Sequence, residues 1–331
     1  MSIQRDAGGM LAAPLYSAFD AGFLPAARTR QLGFYEAARR AFPRGRNLAI
    51  KRLRYFVRAW RARHAHEAWL EFLDAPLFGA GLAERQSLLL QKIQRSYVLL
   101  ALDTTEARVR LLQDHYRGFF ASSRPLGEAL HSREGLQLYE LDLSDARYQL
   151  RLCHLPLNWR EGEISLALFN GTKLICSLTF VVSGLREFNG DAGGAALVIG
   201  GIQGVSDAEG LRVFRDLTKA MHGLRPFSLL IHTIRSVAVA LGARRVVAVG
   251  DAQHALSDKR ARNKVRISYD QIWSDHGGTP AADGVFDLGM TTALKPIADI
   301  ASNKRAQYRR RYQLMDAVSS ATASAISGAS R

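Results

Sequence analysis

Residues 163–184 read EISLALFNGTKLICSLTFVVSG. Two apolar runs rich in β-formers flank Asn170-Gly171. Both turn positions of a tight primed hairpin need positive φ, which Asn and Gly tolerate, so the stretch predicts an antiparallel hairpin. Upstream, residues 136–156 (LQLYELDLSDARYQLRLCHLP) alternate apolar and polar, as half-buried strands do, with a turn expected near Ser144 and Asp145. Downstream, AALVIG at residues 195–200 and RVVAV at residues 245–249 are short apolar runs suited to strands buried on both faces. Between these two runs, residues 207–222 and 227–241 have helical spacing and are divided by Gly223-Leu224-Arg225-Pro226.

The chain ahead of the hairpin has a different period. Residues 30–41, 47–73, 84–102 and 105–119 all fit helices. In the second of these, Leu53, Phe56, Val57 and Trp60 share one face and are expected to dock into the core, with Lys51, Arg52, Arg54, Arg58, Arg61 and Arg63 outward. Residues 302–315 read as a basic helix, followed by an Ala/Ser-rich tail expected to fray. The fold class that follows is α+β, with a helical region over residues 1–130, a mixed α/β domain over 131–300 and a basic helix with its tail over 301–331.

Composition bounds the function. The 331 residues are 47% hydrophobic and 23% charged, a globular balance. Cys153 and Cys176 lie in apolar strand-like segments without a partner at metal-ligand spacing, so they read as buried thiols and no metal site is expected. No signal peptide and no membrane-spanning run stands out, which makes cytoplasm the default. The formal net charge is +15, and residues 1–130 hold 20 Lys and Arg against 11 Asp and Glu. Such a field attracts anions: phosphates, nucleic acid or an acidic membrane surface.

Four polar segments are candidates for chemistry. Gly200-Gly201-Ile202-Gln203-Gly204 follows a buried strand and reads either as a backbone cradle for an anion or as a tight bend. His222-Gly223-Leu224-Arg225-Pro226 joins two helices. Gly223 and Pro226 suit a helix stop and start, and Arg225 would add charge beside a helix N-terminus. Asp251 and His254 follow the second buried strand, where α/β folds place ligand contacts; Asp251 could equally cap the next helix. Tyr269 and Trp273 are four apart and share a helical face, with Gly277 as the stop. The run KRARNKVR at residues 259–266 reads as a solvated loop or a short nucleic-acid patch.

In this order the stretches IGGIQG (199–204), LTKAMHGLRP (217–226), VAVGDAQH (247–254) and YDQIWSDHGG (269–278), with the pair His115-Tyr116, resemble the VirK/YbjX family of bacterial proteins. The resemblance implies an association with virulence and with envelope or antimicrobial-peptide stress. A fold-level resemblance links the meander, buried strand, helix, buried strand and Tyr-bearing helix to the GCN-five-related acetyltransferases. It implies an acyl-coenzyme A held near Gln203, Gly204 and Arg225, with Tyr269 or His254 moving the proton. An extra helix at residues 207–222 departs from that pattern. The alternative is a non-enzymatic protein whose basic helical half binds the inner membrane surface or nucleic acid.

Overall fold

The computed structural model describes residues 33–75, 82, 85–143, 146–189, 193–205, 208–257, 268–281 and 284–331. The turn expected at Ser144 and Asp145 and the basic run 259–266 lie outside the described residues.

The helical half consists of α1 (Phe34–Ala41), α2 (Leu48–Arg61), α3 (Arg63–Asp74), α4 (Gln86–Lys92), α5 (Thr105–Ser122) and α6 (Arg124–His131). The sheet region follows as β1 (Leu136–Leu143), β2 (Ala146–Cys153), β3 (Ile164–Asn170), β4 (Lys173–Ser183), the single turn α7 (Arg186–Asn189), β5 (Ala195–Gly204), α8 (Ala208–Ala220), α9 (Pro226–Ala240) and β6 (Ala243–Val249). The chain closes with α10 (Tyr269–Asp275), β7 (Thr279–Pro280), β8 (Val285–Asp287) and α11 (Arg305–Ala329).

Among the described residues, eight strands form one sheet in the order β1-β2-β3-β4-β5-β6-β8-β7. β1 to β5 run antiparallel, and Asn170-Gly171 closes the β3–β4 hairpin with Gly171 at φ +56°. β5 and β6 are the parallel pair, as expected when a helical crossover joins two strands. The fold is therefore α+β, as the change of sequence period implies.

Several sequence expectations are corrected. Residues 47–73 form two helices, because the backbone leaves helical geometry at Ala62 (φ −116°, ψ 46°). The face of α2 that docks carries Tyr55 and Ala59, whereas Leu53, Phe56, Val57 and Trp60 are exposed. Two apolar faces share this helix, and periodicity alone cannot tell which one meets the core. Of residues 84–102, those described hold the short α4 in place of one long helix, and Val98 then takes a left-handed φ of 58°. β5 continues through Gly200–Gly204 with a bulge at Gly200, so those glycines lie within the strand and not in a bend where the chain leaves the sheet. The C-terminal tail is not frayed: α11 packs along α9 and β1 and buries Met315, Val318, Thr322 and Ile326.

One hydrophobic core extends from Ala65 to Ile326 and joins helices of both halves to the sheet. A smaller core under α1 and α2 holds Ala37, Tyr55, Ala59 and Leu70. Cys153 and Cys176 are buried free thiols, as expected, and burial pushes the Cys153 thiol up to about 12. Among the described residues, no helix is long and apolar enough to cross a membrane.

Candidate functional site

The candidate site lies where the parallel pair ends. The last β5–β6 partners are Ile199 and Ala248, yet β5 continues to Gly204. The overhang leaves main-chain groups without a strand to pair with, and such groups need another partner when buried. At Ile202 the partner is Tyr269 of α10, whose hydroxyl donates to Ile202 O (3.0 Å) and accepts from Ile202 N (3.3 Å).

Glu161 is the centre of the same corner. It sits ahead of β3 and is 2% exposed. Its carboxylate accepts two hydrogen bonds from Gln203 Nε2, at 2.9 and 2.8 Å, and Oε1 lies 3.3 Å from His254 Nε2 at an angle too poor for a hydrogen bond. His254 Nδ1 accepts from Leu256 N (3.1 Å), so the neutral ring carries its proton on Nε2, facing Glu161. The His254 ring meets Tyr269 edge to face at 5.0 Å. Glu161 also explains two glycines. A Cβ on Gly200 would collide with the Glu161 carbonyl, and one on Gly201 would fall 2.6 Å from its carboxylate. Gly200 is the unopposed residue of a bulge between β4 and β5, which fits a strand bent around a second chain segment.

The loops around this corner are tied down. The Asp251 carboxylate accepts from Tyr269 N and from Ser268 Oγ (2.7 Å), and Asp270 accepts in return from Asp251 N (2.8 Å). Asp251 is thus a helix cap, acting on α10. Trp273 donates to Val249 O and is fully buried, so the Tyr269–Trp273 pair belongs to the core as well as the site. The helical half reaches in at residues 97–101: Leu99 bridges His254, and Leu100 N donates to Gln253 O (2.7 Å).

Of the expected residues, Gln203, His254 and Tyr269 come together through Glu161 and Ile202. Arg225 does not join them. It is the exposed N-cap of α9; its carbonyl accepts from Leu229 N (3.0 Å), and its side chain makes no hydrogen bond or ion pair among the described residues. Its neighbourhood still adjoins the corner, because a Cβ on Gly204 would lie 3.1 Å from the Phe227 ring, in the first turn of α9. Ser228 of that turn bonds His276 Nε2 (2.9 Å), and Arg311 of α11 caps the preceding helix through His222 O.

A second polar cluster, which the sequence reading missed, joins the helical half to the sheet. Glu163 is fully buried and accepts from Lys92 and Tyr97, from Arg85 Nη2 (2.7 Å) and from Tyr116 (2.5 Å). Burial would raise its carboxyl, but Lys92 and Arg85 overcome that and hold it well below the usual carboxylate range. Burial lowers Lys92 to about 8 against the pull of Glu163. His115 Nδ1 accepts from Val182 N, so its Nε2 donates to His131 Nε2 (3.0 Å), and His131 Nδ1 donates to Gly127 O (2.7 Å). The signal for both acids was REGE at residues 160–163, two carboxylates directly ahead of an apolar strand. A carboxylate at the edge of a buried strand must find partners.

The geometry defines an α+β protein whose polar interior gathers at the end of its parallel strand pair and at the seam with its helical half. The chain belongs to the family described as "Protein of unknown function (DUF535)", whose model matches residues 45–324. It is 31% identical over 189 residues to "Uncharacterized protein YbjX" of Escherichia coli (strain K12), which is 56% of each chain, so the match spans little more than half of that relative. It is 25% identical over 276 residues to an "Uncharacterized protein" of Haemophilus influenzae, covering 80% of this chain and 87% of the other. These matches bear out the VirK/YbjX resemblance.

Proposed function

We propose that the overhang of β5 and the first turn of α9 bind a phosphate-bearing acyl donor such as an acyl-coenzyme A, and that the chain is acyltransferase-like. The observation that carries this reading is the overhang itself. β5 outruns its parallel partner by five residues, ending in Gly204 beside the helix that starts at Pro226. An extended ligand carrying amides fits such a strand edge, and its phosphates fit a helix start, where main-chain amides lack intrahelical acceptors. Pro226 has no amide to give, so Phe227 and Ser228 supply the donors and Arg225 the charge. The acetyltransferase-like order of elements read in the sequence supports the same reading, with α8 as a departure from it.

The chemistry follows from the two proton carriers. Acyl transfer breaks the carbonyl–sulfur bond, forms a bond from carbonyl carbon to the acceptor, takes a proton from the acceptor and returns one to the thiolate. The Glu161 carboxylate, which His254 Nε2 faces, is suited to take the first proton, and the Tyr269 hydroxyl to return the second. In the fold the Tyr269 hydroxyl is engaged by Ile202. A ligand amide that takes over those bonds frees the hydroxyl as it enters, so binding and activation are coupled.

Thermal melts with coenzyme A and acetyl-coenzyme A test the reading, because a ligand at one hundred times its Kd adds about 2.7 kcal/mol. Arg225→Ala should melt like the wild type without ligand and lose most of the ligand-induced rise, and Arg225→Lys should keep part of it. No rise with either compound, or an Arg225→Ala protein that melts several degrees lower alone, sinks the proposal.

A further inference from the structure

The acyl-donor site leaves unexplained the most unusual surface of the molecule, which lies on α2 and stands whether or not that site binds its ligand. Between Phe42 and Glu67 the chain has eight Lys and Arg and no Asp or Glu. α2 turns Tyr55 and Ala59 to the small core. Its opposite face exposes Ile50 (53%), Leu53 (63%), Phe56 (37%), Val57 (39%) and Trp60 (63%). At about 100° per residue these five side chains fill one arc of about 120°. Lys51, Arg54, Arg58 and Arg61, all exposed, follow along one border of that arc. Phe56, Val57, Trp60 and Arg61 border a groove of about 390 Å³.

A contiguous apolar face of this kind on a soluble surface marks an interaction site. From the charges around it we infer that this face docks onto an anionic phospholipid leaflet, with the helix lying in the plane of the interface. The apolar arc enters the acyl boundary, Trp60 sits at headgroup depth, and the bordering Lys and Arg meet lipid phosphates. Nucleic acid would use the basic border and leave the apolar arc in water. A second copy of the same face would bring two dense positive fields together, which like-charge repulsion opposes. The first 32 residues of the chain hold three Arg and two Asp, so they offer this basic face no net negative charge.

Flotation of the full-length protein with phosphatidylcholine vesicles, with and without about one third phosphatidylglycerol, tests the inference. Binding should appear with phosphatidylglycerol and fall steeply with salt. Trp60 emission should shift to the blue on binding, identified by its loss in Trp60→Phe. Leu53→Ser combined with Phe56→Ser, and separately Arg54→Glu combined with Arg58→Glu, should each cut binding at least about tenfold. All four side chains are exposed, so both proteins should melt like the wild type. Vesicle binding that survives the serine pair overturns the inference. So does nucleic-acid binding without vesicle binding, self-association abolished by the serine pair, or a Trp60 already shielded from acrylamide in lipid-free protein that ignores vesicles.

Discussion

Glu161 Oε1 stands 3.3 Å from His254 Nε2, and both residues are almost wholly buried although one precedes β3 and the other follows β6. The pair pins the loop after β6 onto the bulged part of β5, and Gln203 closes the carboxylate from the solvent side. Removing the carboxylate alone, in Glu161→Ala, takes the acceptor from Gln203 Nε2 and opens a void beside Gly201. A loss of about 1–3 kcal/mol is expected, as for a lost hydrogen bond to a charged group. Urea unfolding measures it, and a loss under about 1 kcal/mol would mean that water reaches this corner.

The Tyr269 hydroxyl serves both main-chain groups of Ile202. Tyr269→Phe keeps the ring against His254 and Trp273 but orphans a buried N–H and a buried C=O. The expected cost is about 1–3 kcal/mol. If an acyl-coenzyme A amide replaces the hydroxyl on binding, the Tyr269→Phe protein should bind the ligand more tightly than the wild type while turnover falls. Equal weakening of binding and turnover would place the hydroxyl on the ligand instead.

Acid should destabilise the seam between the two halves. Burial, helped by nearby positive charge, lowers His115 to about 4 and His154 to about 3, and lowers His131 well below its ordinary value. The unfolded histidines take up protons near pH 6.5, before the folded ones do, so the unfolded state gains as pH falls. Stability is complete above about pH 6.5 and drops towards pH 4, by up to roughly 1.4 kcal/mol per pH unit for each histidine. Below about pH 4.5 the depressed carboxyl of Glu163 adds a further loss of the same sign. Urea midpoints between pH 7 and 5 check this, with His154→Gln expected to flatten the slope. A midpoint independent of pH would show that these rings are open to solvent.

The two faces of α2 make opposite predictions for neighbouring residues. Tyr55 is 2% exposed and packs edge to face on Phe42 and His66, so Tyr55→Ala should cost about 3–5 kcal/mol. Phe56, one residue on, faces water, and Phe56→Ala should change stability by no more than about 0.5 kcal/mol. Paired melting curves decide it, and equal losses would reverse the orientation of the helix.

The α+β class, the hairpin at Asn170-Gly171, the two buried strands and the helices around HGLRP follow from local signals: period, turn chemistry and helix stops. Each acts over a few residues, so the sequence alone determined them. The same signals went astray where a choice depended on distant partners. α2 has two apolar arcs, and only the position of α1 and the small core decided that Tyr55 and Ala59 go inward. The glycines of IGGIQG looked like an anion cradle or a tight bend because nothing nearby reveals that Glu161 lies against them. Gln203, His254 and Tyr269 stood out as polar residues at strand ends, yet the acid that joins two of them, and the Glu163 cluster with its Lys, Arg and Tyr partners, comes from chain segments tens of residues away. A buried charge is stable only beside its partners, and the folded sheet and helices, not the order of residues along the chain, bring those partners into reach.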